Sequence, residues 1–397
     1  MSTVQPTIRL TMKPRKTLWG RGSISALQNV PGRRALIITD TVLVELGTVS
    51  TAESYLKKAG LEVKVFDEVI NEPSIDLVMR IVERHKDFNP DVIIGLGGGS
   101  SMDASKAFRV FLEHPQLTFE EVSNVNGPPT KTIPLFTKTL SVAVPSTSGT
   151  GSEATFGAVI SDPETNVKCV LRSEELMPNI AILDVDIADS MPVSVRAETG
   201  LDALTHAINS SITLIANDFS RASSLQATRS LMKYLIPSCL QGDKDAREHV
   251  HYAASLAGDA IAGGGVGLDH AVAHIFGTNF HLPHGRACGI VLPYAIKFHG
   301  TEPSVSFEEL ARAVGYNGSN RSEAVDYLVD KVIELNRQLG IPGSYSEAGV
   351  SEDAYRAGLP QFIDETLAGY QAGYSARKCT AENIKELYDA SYYGKYL

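Results

Sequence analysis

Short apolar runs alternate with amphipathic stretches along the first half of the chain. The runs are "RALIITD" (34–40), "LEVKVFDEV" (61–69), "DVIIGLGGGSS" (91–101), "TLSVAVPSTSGTGSE" (139–153) and "NIAILDVD" (179–186). Apolar runs of strand length, separated by segments of helical period, predict a mostly parallel sheet with helices on its faces. "AVISDPETNVKCVL" (158–171) differs: two β-rich runs flank an Asp-Pro-Glu-Thr-Asn turn, which predicts a hairpin. The start, "MSTVQPTIRLTMKPRKTLWG", has the threonines and valines of an opening strand.

From about residue 189 the period changes. Helix-period segments follow one another at 193–215, 218–236, 243–262, 266–278, 305–314, 321–339, 351–366 and 380–391, with almost no strand pattern between them. We therefore expect two domains, an α/β domain over 1–188 and an all-α domain over 189–397. A chain of 397 residues is long for one ordinary core, which agrees. No repeat or low-complexity segment interrupts either half.

Composition narrows the partners. Acidic residues outnumber basic ones 46 to 36, a net charge of −10, and a surface of that sign repels phosphate backbones. There is no apolar run long enough to span a bilayer, and the start lacks the apolar region of a secretory signal. Cys169, Cys239, Cys288 and Cys379 lie far apart and form no CxxC pair, which argues against a structural zinc site or a disulfide framework. The expectation is a cytoplasmic chain with reduced, inert cysteines and no nucleic-acid or membrane partner.

Two loops carry candidate chemistry. In "DVIIGLGGGSSMDASKAF" the glycines 95, 97, 98 and 99 stand between a buried strand and a helix beginning near Ser101. Consecutive glycines admit a ligand close to the backbone, and the helix N-terminus offers free N–H groups, so both favour a phosphate or pyrophosphate. The spacing is neither GxGxxG nor a P-loop, and a tight strand-to-helix turn explains it equally well. "PSTSGTGSEAT" (145–155) adds a second loop of hydroxyls and glycines after a strand. Both loops would meet at the carboxyl edge of a parallel sheet, where open α/β sheets bind ligands.

Four of the ten histidines crowd into "GLDHAVAHIFGTNFHLPHG" (267–285). His270 and His274 stand four apart, as do Asp202 and His206 in "ETGLDALTHAINS", so each pair shares one helical face. His284 follows Pro283 in an expected loop, and His281 has no helical partner and is expected at the surface. A carboxylate and three imidazoles suit a divalent ion such as Fe²⁺ or Zn²⁺. Either pair alone equally suits a helix-surface pair, and spacing does not say which three histidines bind. HAVAH is not a zincin motif, since Ala271 stands where HExxH has its glutamate. His85, His114, His249, His251 and His299 carry no pattern.

Together these residues resemble the iron-dependent (group III) alcohol dehydrogenases, the family of lactaldehyde reductase and propanediol dehydrogenase. The likeness runs in order through "LWGRGSI" (18–24), "GGGSSMDASK" (97–106), "STSGTGSE" (146–153), "ETGLDALTHAI" (198–208), "HAVAHIFGTNFHLPHG" (270–285) and "TAENIKELYDASY" (380–392). The resemblance implies a dehydroquinate-synthase-like architecture, with an N-terminal dinucleotide-binding domain, a C-terminal helical domain and the active site between them. It implies Asp202, His206, His270 and His284 as metal ligands and His274 as the proton-relay residue beside the nicotinamide. It implies Gly97, Gly98, Gly99 and Ser100 at the pyrophosphate, Asp103 and Lys106 bracing that loop, and Thr147, Ser148 and Thr150 lining the cofactor site. It further implies a homodimer or larger homo-oligomer. The related lyases of this architecture bind zinc with other ligand spacing.

Asp40 ends the "ITD" strand. A carboxylate there can accept hydrogen bonds from ribose hydroxyls and would repel a 2′-phosphate, so NAD(H) is the expected cofactor; a helix N-cap role is compatible. The resemblance implies a small alcohol or aldehyde as substrate. "DAIAGGGVGLDH" (259–270) is rich in small residues, which suits a polar substrate. Arg172, Arg286 and Lys297 are candidate partners for an anionic head group, sulfoacetaldehyde being the leading example. A general lactaldehyde, 1,3-propanediol or short-chain alcohol enzyme is the rival reading.

Overall fold

Six strands form one sheet: β1 (Lys16–Trp19), β2 (Arg34–Ile38), β3 (Glu62–Phe66), β4 (Val92–Gly97), β5 (Leu140–Pro145) and β8 (Ile180–Leu183). Their order is β1-β8-β5-β4-β2-β3, and every pairing is parallel. β6 (Gly157–Ser161) and β7 (Lys168–Arg172) form a separate antiparallel pair. This computed structural model describes residues 10–70, 72–124, 128–163, 168–302 and 304–395. The expected hairpin over 158–171 is therefore present, while Glu164, Thr165 and Asn166 of its expected turn lie outside the described residues. The opening strand is the short β1, and residues 1–9 also lie outside them.

β4 is buried at all six positions because it runs through the middle of a sheet covered on both faces. On one face Ile37, Ile94 and Val142 pack with Leu56 of the helix Thr48–Lys58. On the other, Leu36, Ile38 and Ile93 pack with Leu77, Ile81 and Phe108 of the helices Ile75–His85 and Gly99–Glu113.

Among the described residues every named strand precedes Asp184 and the rest is helical. The helix Val193–Ile212 is buried from Leu201 to Ile212 on every side, as the centre of the helical half. Its small residues make that possible: a β-carbon at Gly200 would stand 2.3 Å from Leu235 Cδ1 of the helix Asp218–Leu240. Asp202, His206 and Asn209 form its buried polar stripe at four- and three-residue spacing. The helices Lys244–Gly264 and Leu268–Phe280 follow, and His281 ends the latter in a left-handed conformation with φ 54°.

One expectation fails here. His284 does not sit in a loop; it begins the helix His284–Gly300, with Pro283 at the N-cap position. That helix is apolar nearly all round, as a helix buried on all sides must be, so no 3.6-residue period marks it. Pro293 inside it and the Pro-His-Gly start further disguise it.

Candidate active site

The carboxyl edge of the sheet sets the first half of the site. Gly97 ends β4 in register with Pro145, which ends β5, so the glycine loop and the 146–151 loop leave neighbouring strands at one level. On the other side of β4, Ile38 pairs with Gly95, which puts Asp40 two residues on beside Gly97. Gly97 has φ 154°, and a β-carbon there would lie 2.4 Å from Ser101 Oγ and 3.4 Å from Asp40 Oδ2. A β-carbon at Gly99 would lie 2.8 Å from Thr150 Cγ2, so the two loops touch through the glycine. Gly98 is the N-cap of the helix Gly99–Glu113, with no side chain capping it, and Thr147 stands next to it. The free N–H groups of a 15-residue helix are thus aimed at the cleft.

Asp40 caps the short helix Thr41–Glu45, its Oδ1 accepting from the Leu43 N–H at 3.0 Å. Lys106 is turned inward. Its buried ammonium donates to Ser152 O at 2.7 Å, Ser152 Oγ at 2.9 Å, Thr155 O at 3.0 Å and Gly157 O at 2.8 Å. Burial lowers its pKa to about 8 against the pull of Asp103 and Glu153. Asp103 accepts from Ser152 Oγ at 2.6 Å and from the Val159 N–H at 2.9 Å, so these two side chains brace the second loop and β6. Ser148 is buried with its hydroxyl 2.9 Å from His251 Nδ1, and that contact accounts for an otherwise patternless histidine.

The helical half sets the second part of the site. His206, His270 and His284 bring their Nε2 atoms to 3.6, 3.4 and 3.3 Å from one oxygen, Asp202 Oδ1. Asp202, His206 and His270 are buried, whereas the His284 side chain keeps 32% of its exposure and opens toward the cleft. The Asn209 amide nitrogen lies 3.1 Å from His270 Nδ1 and orients that ring. His274 is half-buried one turn on, its ring centroid 4.8 Å from that of His284.

Burial would raise the Asp202 pKa, but His206, His284 and hydrogen bonds from His270 and His284 outweigh it and hold the carboxylate well below its usual range. Burial pushes His206 down to about 3 despite Asp202, and it holds His274 well below its ordinary value, aided by His284 and Lys168. A charged carboxylate among neutral imidazoles is the protonation state a divalent ion requires. His284 Nδ1 is buried without a partner, and the convergent donors match the ligand types of zinc and non-haem iron sites. The residues present fit such an ion.

Cys288, expected only as one of four inert thiols, stands beside this cluster. It lies one turn beyond His284 with Sγ 3.5 Å from His284 Nε2. The same four-residue offset that links His270 to His274 would have flagged it, had a helix been expected from His284. Burial and the carboxylates of Asp202 and Asp269 hold its thiol well above the ordinary range.

A cavity of about 320 Å³ joins the two halves, and Gly99, Ser100, Asp103, Thr150, Asp202, His206, His270, His274 and His284 all line it. Of the three basic candidates only Arg172 lines the cavity. Arg286 instead pairs with Glu198 at 2.7 Å and Lys297 pairs with Asp326. Lys168, from the same hairpin strand as Arg172, lines the cavity too and pairs with Glu72 at 2.9 Å. The sequence reading missed it because a hairpin's alternation does not tell which face meets the helical half.

Residues 14–185 match the family model "Iron-containing alcohol dehydrogenase", and residues 196–392 match "Fe-containing alcohol dehydrogenase family, C-terminal". The chain is 35% identical over 388 residues to the NADPH-dependent butanol dehydrogenase of Clostridium saccharobutylicum, covering 98% of each. It is also 35% identical over 409 residues to the bifunctional aldehyde-alcohol dehydrogenase of Escherichia coli, of which it spans 46%. The iron-containing alcohol dehydrogenase of Thermococcus thioreducens superposes with a TM-score of 0.88 at 32% identity, over 97% of this chain and 100% of that one. Sulfoacetaldehyde reductase of Bifidobacterium kashiwanohense, at 21% identity and TM-score 0.83 over 97% and 99% of the two chains, shares the fold. With both family models matched across the sheet and the helical half, the chain belongs to the iron-containing alcohol dehydrogenase family and is an oxidoreductase.

Proposed function

We propose that this enzyme transfers hydride between NAD(H) and a short polar aldehyde or alcohol at a divalent metal, Fe²⁺ first and Zn²⁺ second. The observation that carries the reading is the convergence of three imidazoles on Asp202 in a cavity that also holds the glycine-loop helix N-terminus. Asp202, His206, His270 and His284 would hold the ion. When bound, the ion polarises the substrate oxygen as a Lewis acid and lowers the barrier to hydride transfer.

The remaining work falls to the chain. Gly97, Gly98, Gly99 and Ser100 receive the pyrophosphate on backbone N–H groups, beside Thr147 and Thr150. Asp40, next to Gly97, accepts hydrogen bonds from the adenosine ribose and disfavours a 2′-phosphate. That supports NAD(H) for this chain, although one relative is named for NADPH. His274, kept neutral and half-buried against His284, takes the substrate proton in alcohol oxidation and returns it in aldehyde reduction. Lys168 and Arg172 support an anionic substrate such as sulfoacetaldehyde. A general short-chain reductase is the second reading, favoured by Phe156 and Val266 in the same wall and by the Lys168–Glu72 pair.

The boundary near residue 188, a cytoplasmic setting and a homodimer or larger assembly belong to the same proposal. Among the described residues no helix is long and apolar enough to cross a membrane. The test is oxidation of NADH, with NADPH in parallel, by protein loaded anaerobically with Fe²⁺ or Zn²⁺, over short aldehydes matched in size and differing in charge. The expected result is NADH-linked turnover with preference for an anionic aldehyde. Equal or better turnover of the uncharged aldehyde selects the second reading, and no turnover with either cofactor overturns both.

A further inference from the structure

Cys288 Sγ lies 3.5 Å from His284 Nε2, 3.8 Å from Asp202 Oδ1 and 3.9 Å from His270 Nε2. The same carboxylate oxygen is 3.3 and 3.4 Å from those two nitrogens, and all four ligand atoms lie within 4.8 Å of one another. His206 stands outside this compact foursome, although its Nε2 is 3.6 Å from Asp202 Oδ1. A tetrahedral ion with nitrogen or oxygen donors at about 2.1 Å and sulfur at about 2.3 Å has edges of about 3.4 Å between the light donors and about 3.6 Å to the sulfur. The two separations from Asp202 Oδ1 to the nitrogens and the three to the sulfur follow that pattern, those to the sulfur being the longer.

We propose that Cys288 is a metal-discriminating ligand: Zn²⁺ is taken by Asp202, His270, His284 and Cys288, whereas Fe²⁺ is held by Asp202 and the three histidines. This rests on the metal reading above and adds a second, thiolate-containing donor set to it. Thiolate favours zinc over iron in mixed oxygen and nitrogen surroundings, so the zinc-loaded protein should turn over more slowly than the iron-loaded one. On binding, the Sγ–H bond breaks, an Sγ–metal bond forms and the proton leaves to solvent, with no change of oxidation state.

The test uses the full-length metal-free protein titrated anaerobically with Co²⁺, a spectroscopic stand-in for Zn²⁺. The expected result is a thiolate-to-cobalt charge-transfer band in the near ultraviolet that Cys379→Ser keeps and Cys288→Ser loses. Cys288→Ser should also lower Zn²⁺ affinity about tenfold or more while Fe²⁺ affinity stays within about threefold. X-ray absorption of the zinc-loaded wild type needs no variant and should show one sulfur neighbour at about 2.3 Å. Cobalt uptake that depends on His270 but gives no charge-transfer band, or zinc with only nitrogen and oxygen neighbours, overturns the proposal alone. Absence of cobalt uptake overturns the metal site itself.

Discussion

Gly285 lies directly against the backbone of Glu198: a β-carbon there would stand 2.0 Å from the Glu198 carbonyl oxygen. Next to it, Arg286 closes the contact with Glu198 at 2.7 Å. This clasp brings the start of the His284 helix against the helix that carries Asp202 and His206, so the glycine decides where two metal-ligand candidates meet a third. A methyl group at this position has rigid backbone to displace. Gly285→Ala should therefore cost about 3 kcal/mol of stability and at least half of the bound metal. Urea unfolding and metal analysis of the purified variant measure both. Wild-type metal content in a folded Gly285→Ala protein would show that the clasp does not set the site.

Asp40 is expected to choose the cofactor. Asp40→Ser retains a helix-capping oxygen for the Leu43 N–H while removing the charge beside Gly97. The ratio of kcat/KM with NADPH to that with NADH should rise about tenfold, or about 1.4 kcal/mol. An unchanged ratio would mean that the ribose end is bound elsewhere.

Arg172 has no carboxylate partner among the described residues and stacks over Phe156 at 5.3 Å in the cavity wall. If it reads the head group of the substrate, Arg172→Ala should lower kcat/KM for an anionic aldehyde about tenfold or more, the loss of one charged hydrogen bond. The uncharged aldehyde of equal size should change by less than about twofold. Equal losses on both would assign Arg172 to the shape of the wall.

Stability should fall on mild acidification through buried histidines, two of which lie outside the metal cluster. His251 and His299 are fully buried, and burial lowers each to about 4. Unfolded imidazoles titrate near 6.5, so between about pH 4 and 6.5 the unfolded chain binds more protons and stability declines as pH falls. Between pH 7.5 and 5.5 each contributes a loss of about 1 kcal/mol. His251→Asn should show a pH dependence shallower by that amount in urea unfolding at the two pH values. A slope identical to wild type would mean that His251 titrates alike in the folded and unfolded chain.

Much of this architecture was readable from the chain. Strand-length apolar runs ending in glycine and hydroxyl loops dictated a parallel sheet with a binding edge, because a strand buried on both faces must be apolar throughout. The pairs Asp202–His206 and His270–His274 announced shared helical faces, since the helical repeat returns a side chain to the same side every four residues. Local pattern failed where burial erased it. The helix from His284 has no polar face, so its existence, and with it the place of Cys288 beside His284, was invisible to periodicity. The same limit sent Arg286 and Lys297 to the list of anion readers, although both are spent on Glu198 and Asp326.

What the sequence by itself determined is the set of elements and the chemical types they carry, because propensity, period and turn chemistry act over a few residues. Which carboxylate oxygen three imidazoles share, which cysteine joins them and which cations reach the cavity were decided by packing between helices far apart in the chain. Those contacts depend on where small residues such as Gly200 and Gly285 let backbones approach, and no local pattern encodes that approach.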